Sequence, residues 1–110
     1  MKVLVKRTLH YYIAKYQLAE KSLIAWENEF SKTTFKNFNE IKSVYRNASI
    51  LGSNRVVFNI KGNDFRLVVS VNFTQQACYV IWFGTHNEYD QINVETVKYD
   101  VNINNFKQNK

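Results

Sequence analysis

Along the first third of the chain the apolar positions repeat with a helical period. Leu9, Tyr12, Ile13 and Tyr16 stand at i, i+3, i+4 and i+7, one face of a helix, and Thr8 just ahead of them is a residue type that caps helix starts. Residues 2–6 before it read as a short strand. Ala19, Leu23, Trp26 and Phe30 continue a second apolar stripe, with Lys21, Glu27 and Glu29 spread over other positions, so a second amphipathic helix follows. Asn37 with Glu40 three positions on marks the start of a third, short helix carrying Phe38, Ile41 and Val44.

From Ile50 onward the period drops to two, and Gly62-Asn63 supplies a hairpin turn from which a register can be written. Lys61 then faces Asp64, Ile60 faces Phe65, Asn59 faces Arg66, Phe58 faces Leu67, Val57 faces Val68 and Arg55 faces Ser70. Directly opposed residues share a face. Val56, Phe58, Ile60, Phe65, Leu67, Val69 and Val71 form a core face, and Arg55, Val57, Asn59, Lys61, Arg66, Val68, Ser70 and Asn72 a wet one. A second hairpin around Gln75-Gln76 would put Cys78, Val80 and Trp82 on the core side and Tyr79, Ile81 and Phe83 on the other. That mixture of charges, amides and rings suits a ligand surface. Thr85-His86-Asn87-Glu88 is a capping box, so a short helix is expected from His86.

Length and charge narrow the picture. With 110 residues, 45% of them hydrophobic, one domain is expected at 1–97, followed by an Asn-rich polar tail at 98–110 taken as mobile. The fold class is α+β: a short N-terminal strand and two to three helices packed on a twisted antiparallel sheet, with the short helix near the C-terminus. Fifteen Lys and Arg against nine Asp and Glu leave a net charge of +6, which favours phosphate-bearing or acidic partners. Cys78 is the only cysteine, which excludes an internal disulfide and any multi-cysteine zinc site. There is no export signal and no apolar window near the roughly 20 residues that span a bilayer, so a cytoplasmic protein without a membrane role is expected.

No Gly-rich phosphate loop, histidine pair at metal-ligand spacing or nucleophile elbow occurs, so no metal or small-molecule cofactor is expected. What remains is a concentration of polar groups: Arg55, Asn59, Lys61, Asn63 and Arg66, then His86, Tyr89 and Asp90 in the short helix. Arg66 is fixed at a sheet surface by its own strand; its planar fork can grip a phosphoryl group through paired hydrogen bonds, or can pair with Asp64 or Asp90. Lys61 beside the turn is a second cation, though a lysine there is commonly just a solvated hairpin end. His86 opens a helix, whose positive end disfavours imidazolium and leaves a ring able to take a proton, while Asp90 one turn on pulls the other way. Tyr89 can stack on a base, lend its hydroxyl or simply fill the core. His10, within the first helix, is given a structural or solvent-facing role.

The run from Ser49 to Val69, with Arg55, Asn59, Lys61, Gly62, Asn63 and Arg66 in place, followed by Gly84-Thr85-His86-Asn87-Glu88-Tyr89-Asp90, strongly resembles the HigB family of toxin–antitoxin mRNA interferases. The resemblance covers roughly residues 3–97 and includes the basic start with Lys6 and Arg7. It implies a RelE/ParE-like domain, ribosome-dependent cleavage of translated mRNA with contacts to rRNA, and a HigA-type helix-turn-helix antitoxin that neutralises the toxin. It also implies roles: Arg66 and Lys61 on the phosphate, His86 as base or acid, Tyr89 stacking or assisting proton transfer, and Arg55, Asn59, Asn63, Lys6 and Arg7 as further RNA contacts. The RelE branch uses several Lys and Arg with a late tyrosine and lacks this histidine, so the division of acid and base among His86, Lys61 and Tyr89 stays open. The competing expectation keeps the fold without the enzyme, as a basic RNA- or protein-binding module or a ParE-like gyrase inhibitor. Against it stands His86, because a pure binder has no need of a group titrating near neutrality.

Overall fold

The register written from Gly62-Asn63 is the one the chain adopts. In the computed structural model, which describes residues 1–98 and Ile103, strands β3 (Arg55–Ile60) and β4 (Phe65–Asn72) pair antiparallel with Asn59 opposite Arg66 and Arg55 opposite Ser70. Around them lie β1 (Lys2–Leu4), α1 (Lys6–Lys15), α2 (Glu20–Ser31), α3 (Phe38–Val44), β2 (Ser49–Ile50), β5 (Ala77–Thr85) and α4 (His86–Tyr89), with a 3-10 turn at Gln17–Ala19. The strand order is β1-β5-β4-β3-β2. The fold is α+β as expected, but the sheet is mixed: β1 joins β5 in parallel, while the remaining neighbours run antiparallel. Only a crossover through α1, α2 and the β2–β4 meander can bring two parallel strands together, and no local pattern encodes that.

One sheet face packs on the helices, and Val56, Phe58, Ile60, Phe65, Leu67, Val69 and Val71 are all buried there. The ring of Phe30, on α2, lies 5.1 Å from Trp26, 5.2 Å from Phe35 and 5.5 Å from Phe58, so the apolar stripe of α2 is the centre of the main core. Losing such a side chain costs about 3–5 kcal/mol. Asn37 caps α3 by accepting from the Glu40 amide at 3.0 Å, as its spacing predicts.

Thr8 is not a cap. Val5 makes the turn out of β1 in the left-handed region (φ 59), so α1 starts at Lys6 and places Thr8 inside the helix on its buried side. The outer face of the sheet also differs from expectation, because part of it is dry. Val57, Val68 and Ile81 form a second cluster with Leu51, Tyr79, Trp82, Tyr89, Val94 and Val97 against it, so the segment after α4 covers the middle of the face expected to be wet. Trp82 and Phe83 exchange the faces expected of them. Val69 pairs with Val80 but Val68 pairs with Trp82, so Ile81 is an extra residue at a β-bulge. Beyond the bulge Phe83 meets Leu67 in the core and Trp82 turns outward. Cys78 and Val80, before it, lie on the core side as expected. Burial pushes the Cys78 thiol up to about 12, in keeping with a packing role.

Among the described residues no helix is long and apolar enough to cross a membrane. The mobile tail expected at 98–110 falls outside the described residues, save exposed Lys98 and Ile103, which is 5% exposed and belongs to the main core.

Candidate catalytic site

Three strands abreast build the floor. Asn59 of β3 faces Arg66 of β4, and Arg66 faces Gly84 of β5. At the hairpin tip the Asp64 amide donates to the Lys61 carbonyl at 3.2 Å, and both Lys61 (φ 55) and Gly62 (φ 63) take left-handed backbone. For glycine this is free, whereas a lysine there is held against an intrinsic cost of about 1 kcal/mol. The Lys61 Nζ lies 3.3 Å from Asp64 Oδ2, an exposed pair. Asn59 Nδ2 donates to Asn63 Oδ1 at 3.2 Å. Arg66 donates from Nη1 to the carbonyls of Asn63 at 2.9 Å and Phe65 at 3.1 Å. Both bonds use one nitrogen, so the guanidinium is oriented while the donors on Nε and Nη2 stay outside these bonds. The pairing with Asp64 or Asp90 considered for Arg66 is taken instead by Lys61 and His86.

The second wall is α4, and its capping box is complete. The Thr85 amide donates to Glu88 Oε1 at 2.9 Å, and the Glu88 amide to Thr85 Oγ1 at 3.2 Å. The His86 amide donates to the Asp64 carbonyl at 2.9 Å, which joins the start of α4 to the hairpin tip. Its imidazole, about half exposed, points Nε2 at Asp90 Oδ2 across 3.6 Å. Tyr89 turns the other way, its ring centroid 6.2 Å from that of Trp82 in the second cluster.

Two residues outside the sequence-predicted set hold this wall in place. Tyr16, just past the end of α1, donates its hydroxyl to Glu88 Oε1 at 2.8 Å, so one carboxylate oxygen serves both the cap and a helix 72 residues away. Burial first, and then the Glu88 carboxylate, push the Tyr16 phenol well above its ordinary value. Burial works to raise the Glu88 carboxyl, but the Thr85 amide, the Tyr16 and Thr85 hydroxyls and the charge of Lys15 together bring it below the usual range. Gly84 completes the joint: a Cβ there would sit 2.6 Å from Trp82 Cη2 and 3.0 Å from Glu88 Oε1. The sequence marked Tyr16 only as the last aromatic of the α1 stripe, and Glu88 only as half of a cap. A polar-tipped aromatic at the end of a buried stripe was the available signal.

The structure therefore gathers Asn59, Lys61, Asn63, Arg66 and His86 at one end of the sheet, with Tyr89 behind them. Arg55 lies at the other end of β3, where Nη1 donates to the Val94 carbonyl at 2.8 Å. Lys6 opens α1 and sits 3.6 Å from Glu27 of α2, with exposed Arg7 beside it in the first turn, so neither belongs to the hairpin group. His10 is partly buried in α1, its Nδ1 enclosed without a hydrogen-bond partner among the described residues. Among the described residues no three His, Cys, Asp or Glu side chains converge.

Cations, amides and a histidine are thus collected at one end of a small α+β sheet, between a hairpin tip and a capped helix. The model of the HigB toxin family, the RelE-like toxic component of a toxin–antitoxin system, matches residues 19–92, and the chain belongs to that family. It is 32% identical over 92 residues to the mRNA interferase toxin HigB of Escherichia coli strain K12, covering 82% of this chain and 88% of that protein. The same figures hold for the mRNA interferase HigB of Escherichia coli O157:H7 and that of Shigella flexneri. As the toxic component of such a system, the chain has an antitoxin as its partner.

Proposed function

We propose that this protein is a ribosome-dependent mRNA interferase, an endoribonuclease of the cytoplasm that cuts translated messages and is neutralised by a HigA-type helix-turn-helix antitoxin. The observation that carries the reading is the bond from the His86 amide to the Asp64 carbonyl, which sets a histidine helix against a hairpin tip bearing Lys61 and Arg66. The names of the relatives agree with it.

The chemistry follows from that juxtaposition. A base removes the proton of a ribose 2′-OH, the oxygen attacks the neighbouring phosphorus, and an acid protonates the departing 5′-oxygen. The products are a 2′,3′-cyclic phosphate and a free 5′-hydroxyl. Arg66, steered by two main-chain carbonyls, presents its remaining donors to the nonbridging oxygens, and Lys61 leaves Asp64 to join it. A preorganised cation of this kind contributes about 10²–10³ in rate. His86 is one of the two proton-transfer groups, its ring oriented by Asp90. Tyr89 stacks on a base or assists the second transfer, and Asn59 and Asn63 hold the RNA beside it. The net charge of +6 draws the protein to rRNA.

The test is brief induction of wild type and of His86→Ala, each with and without the neighbouring gene, followed by growth measurement and mapping of transcript 5′ ends. Arrest with new ends inside translated frames is expected, lost in the variant and suppressed by the neighbour. Arrest without transcript cleavage would replace the interferase reading by that of a non-nucleolytic toxin.

A further inference from the structure

Strand β2 pairs with β3 only as far as Val57, so among the described residues no strand lies beside the outer edge of β3 from Phe58 to Ile60. Two hollows of about 310 and 300 Å³ open along that edge and share Tyr45, Asn59 and Gly62. Arg46 lines the first; Trp26, Glu29 and Lys61 line the second. Together they form one groove that begins at the candidate site, because Asn59 and Lys61 belong to both.

The groove has the chemistry of a base-reading surface. Tyr45, half-buried against Phe30 and Phe58, supplies an aromatic wall. Its phenol is pushed up to about 12 by burial and by the Glu29 charge next to it, so it stays a hydrogen-bonding hydroxyl. Among the described residues the indole N–H of Trp26, which is 4% exposed, has no acceptor. Glu29 is a carboxylate in a protein of net charge +6, on a wall that an RNA strand would pass. A phosphate would be repelled by it, whereas an exocyclic amino group donates to it; in uracil the one edge N–H lies between two carbonyl oxygens that repel an ionised carboxylate, which only accepts. Neighbouring strands lie about 4.8 Å apart, which puts the β3 edge roughly 10 Å from the Gly84 row. That is about three nucleotide steps at the stacked spacing of roughly 3.4 Å.

We propose that this groove holds a base within three nucleotides of the scissile phosphate and that the Glu29 carboxylate selects bases bearing an amino group over uracil. Arg46 takes a phosphate further along the groove, while Lys61 keeps its place on the scissile one. The inference rests on the interferase reading and adds the residue that sets its sequence preference.

The full-length chain tests it through 5′-end mapping of transcripts after brief expression of wild type, Glu29→Gln and Glu20→Gln. Both carboxylates are exposed on α2, and only Glu29 lines the groove. Wild-type ends are expected to be depleted in uridine at one position within three nucleotides of the cut. Glu29→Gln reduces that discrimination about tenfold, and Glu20→Gln leaves both preference and total cutting unchanged. Unchanged nucleotide preference in Glu29→Gln with cutting intact overturns the proposal. So does a Glu29→Gln protein that keeps its preference but escapes the antitoxin, which would assign the groove to that partner. Absence of transcript ends in wild type would defeat the interferase reading itself, a result distinct from both.

Discussion

Arg55 and Arg66 stand on the same face of one hairpin, and each donates from Nη1 to main-chain carbonyls, yet the two ends of the hairpin use them differently. The Arg55 bond reaches Val94, 39 residues along the chain, and so ties the segment after α4 over Val57, Val68 and Ile81. The Arg66 bonds reach Asn63 and Phe65, within its own turn. A long-range bond stabilises the fold and immobilises its donor. A local one orients the guanidinium, adds little to the fold and leaves the rest of the fork for a ligand. Residue type and face are shared; what separates a clamp from the proposed phosphate site is what each arginine is bonded to.

The sharpest way to break this comparison is to remove each arginine in turn. Arg66→Ala is expected to lower transcript cleavage by about 10²–10³ with little change in melting temperature, and a fully toxic variant would remove Arg66 from the mechanism. Arg55→Ala is expected to cost about 1–3 kcal/mol in urea unfolding and to speed amide exchange at Val57 and Val68, while the folded fraction still cuts. If Arg55→Ala abolished cutting at unchanged stability, the clamp would have to be redrawn as an RNA contact.

Lys61 sharpens the same contrast. Lys61→Gly relieves the left-handed strain, so stability should change by less than about 1 kcal/mol, while cleavage drops about tenfold. A stability loss of several kcal/mol by chemical denaturation would mean that the Lys61–Asp64 pair holds the turn together.

The smallest effect is that of Tyr16→Phe, which deletes a hydrogen bond worth about 1 kcal/mol between α1 and α4. Its signature lies in pH dependence. The Tyr16 phenol is raised above 10.0, so its contribution is complete below pH 10 and is lost as pH rises through the folded value. The Glu88 carboxyl is lowered below 4.5, so its contribution is present above that and is lost as pH falls through the folded value. Melting curves across pH should show wild type weakening at both extremes, and Tyr16→Phe should shrink both limbs, leaving the part of the alkaline one that belongs to Tyr45 and Cys78. An unchanged alkaline limb in the variant would show that Tyr16 is not the group titrating there.

Much of this was legible in order along the chain. The hairpin register followed from Gly62-Asn63 and strict alternation, and it alone placed Asn59 across from Arg66. The capping box at Thr85 located α4 and His86. Where reading failed, a single residue shifted the pattern: Ile81 at the bulge reversed Trp82 and Phe83, and the left-handed turn at Val5 started α1 ahead of Thr8. Alternation has no memory of an inserted residue, so a bulge inside an apolar run such as Tyr79–Phe83 leaves no trace in it.

What the chain determined by itself is what neighbours a few residues apart govern: helical stripes, the caps at Asn37 and Thr85, the tight turn and the faces of the β3–β4 hairpin. What only the tertiary structure decided is which of those local units meet. The parallel seat of β1, the dry patch around Val68, the Tyr16–Glu88 bond and the docking of His86 on Asp64 all join residues more than 20 positions apart. Such contacts depend on how two apolar faces settle against each other, and the pairing of faces is a property of the whole core.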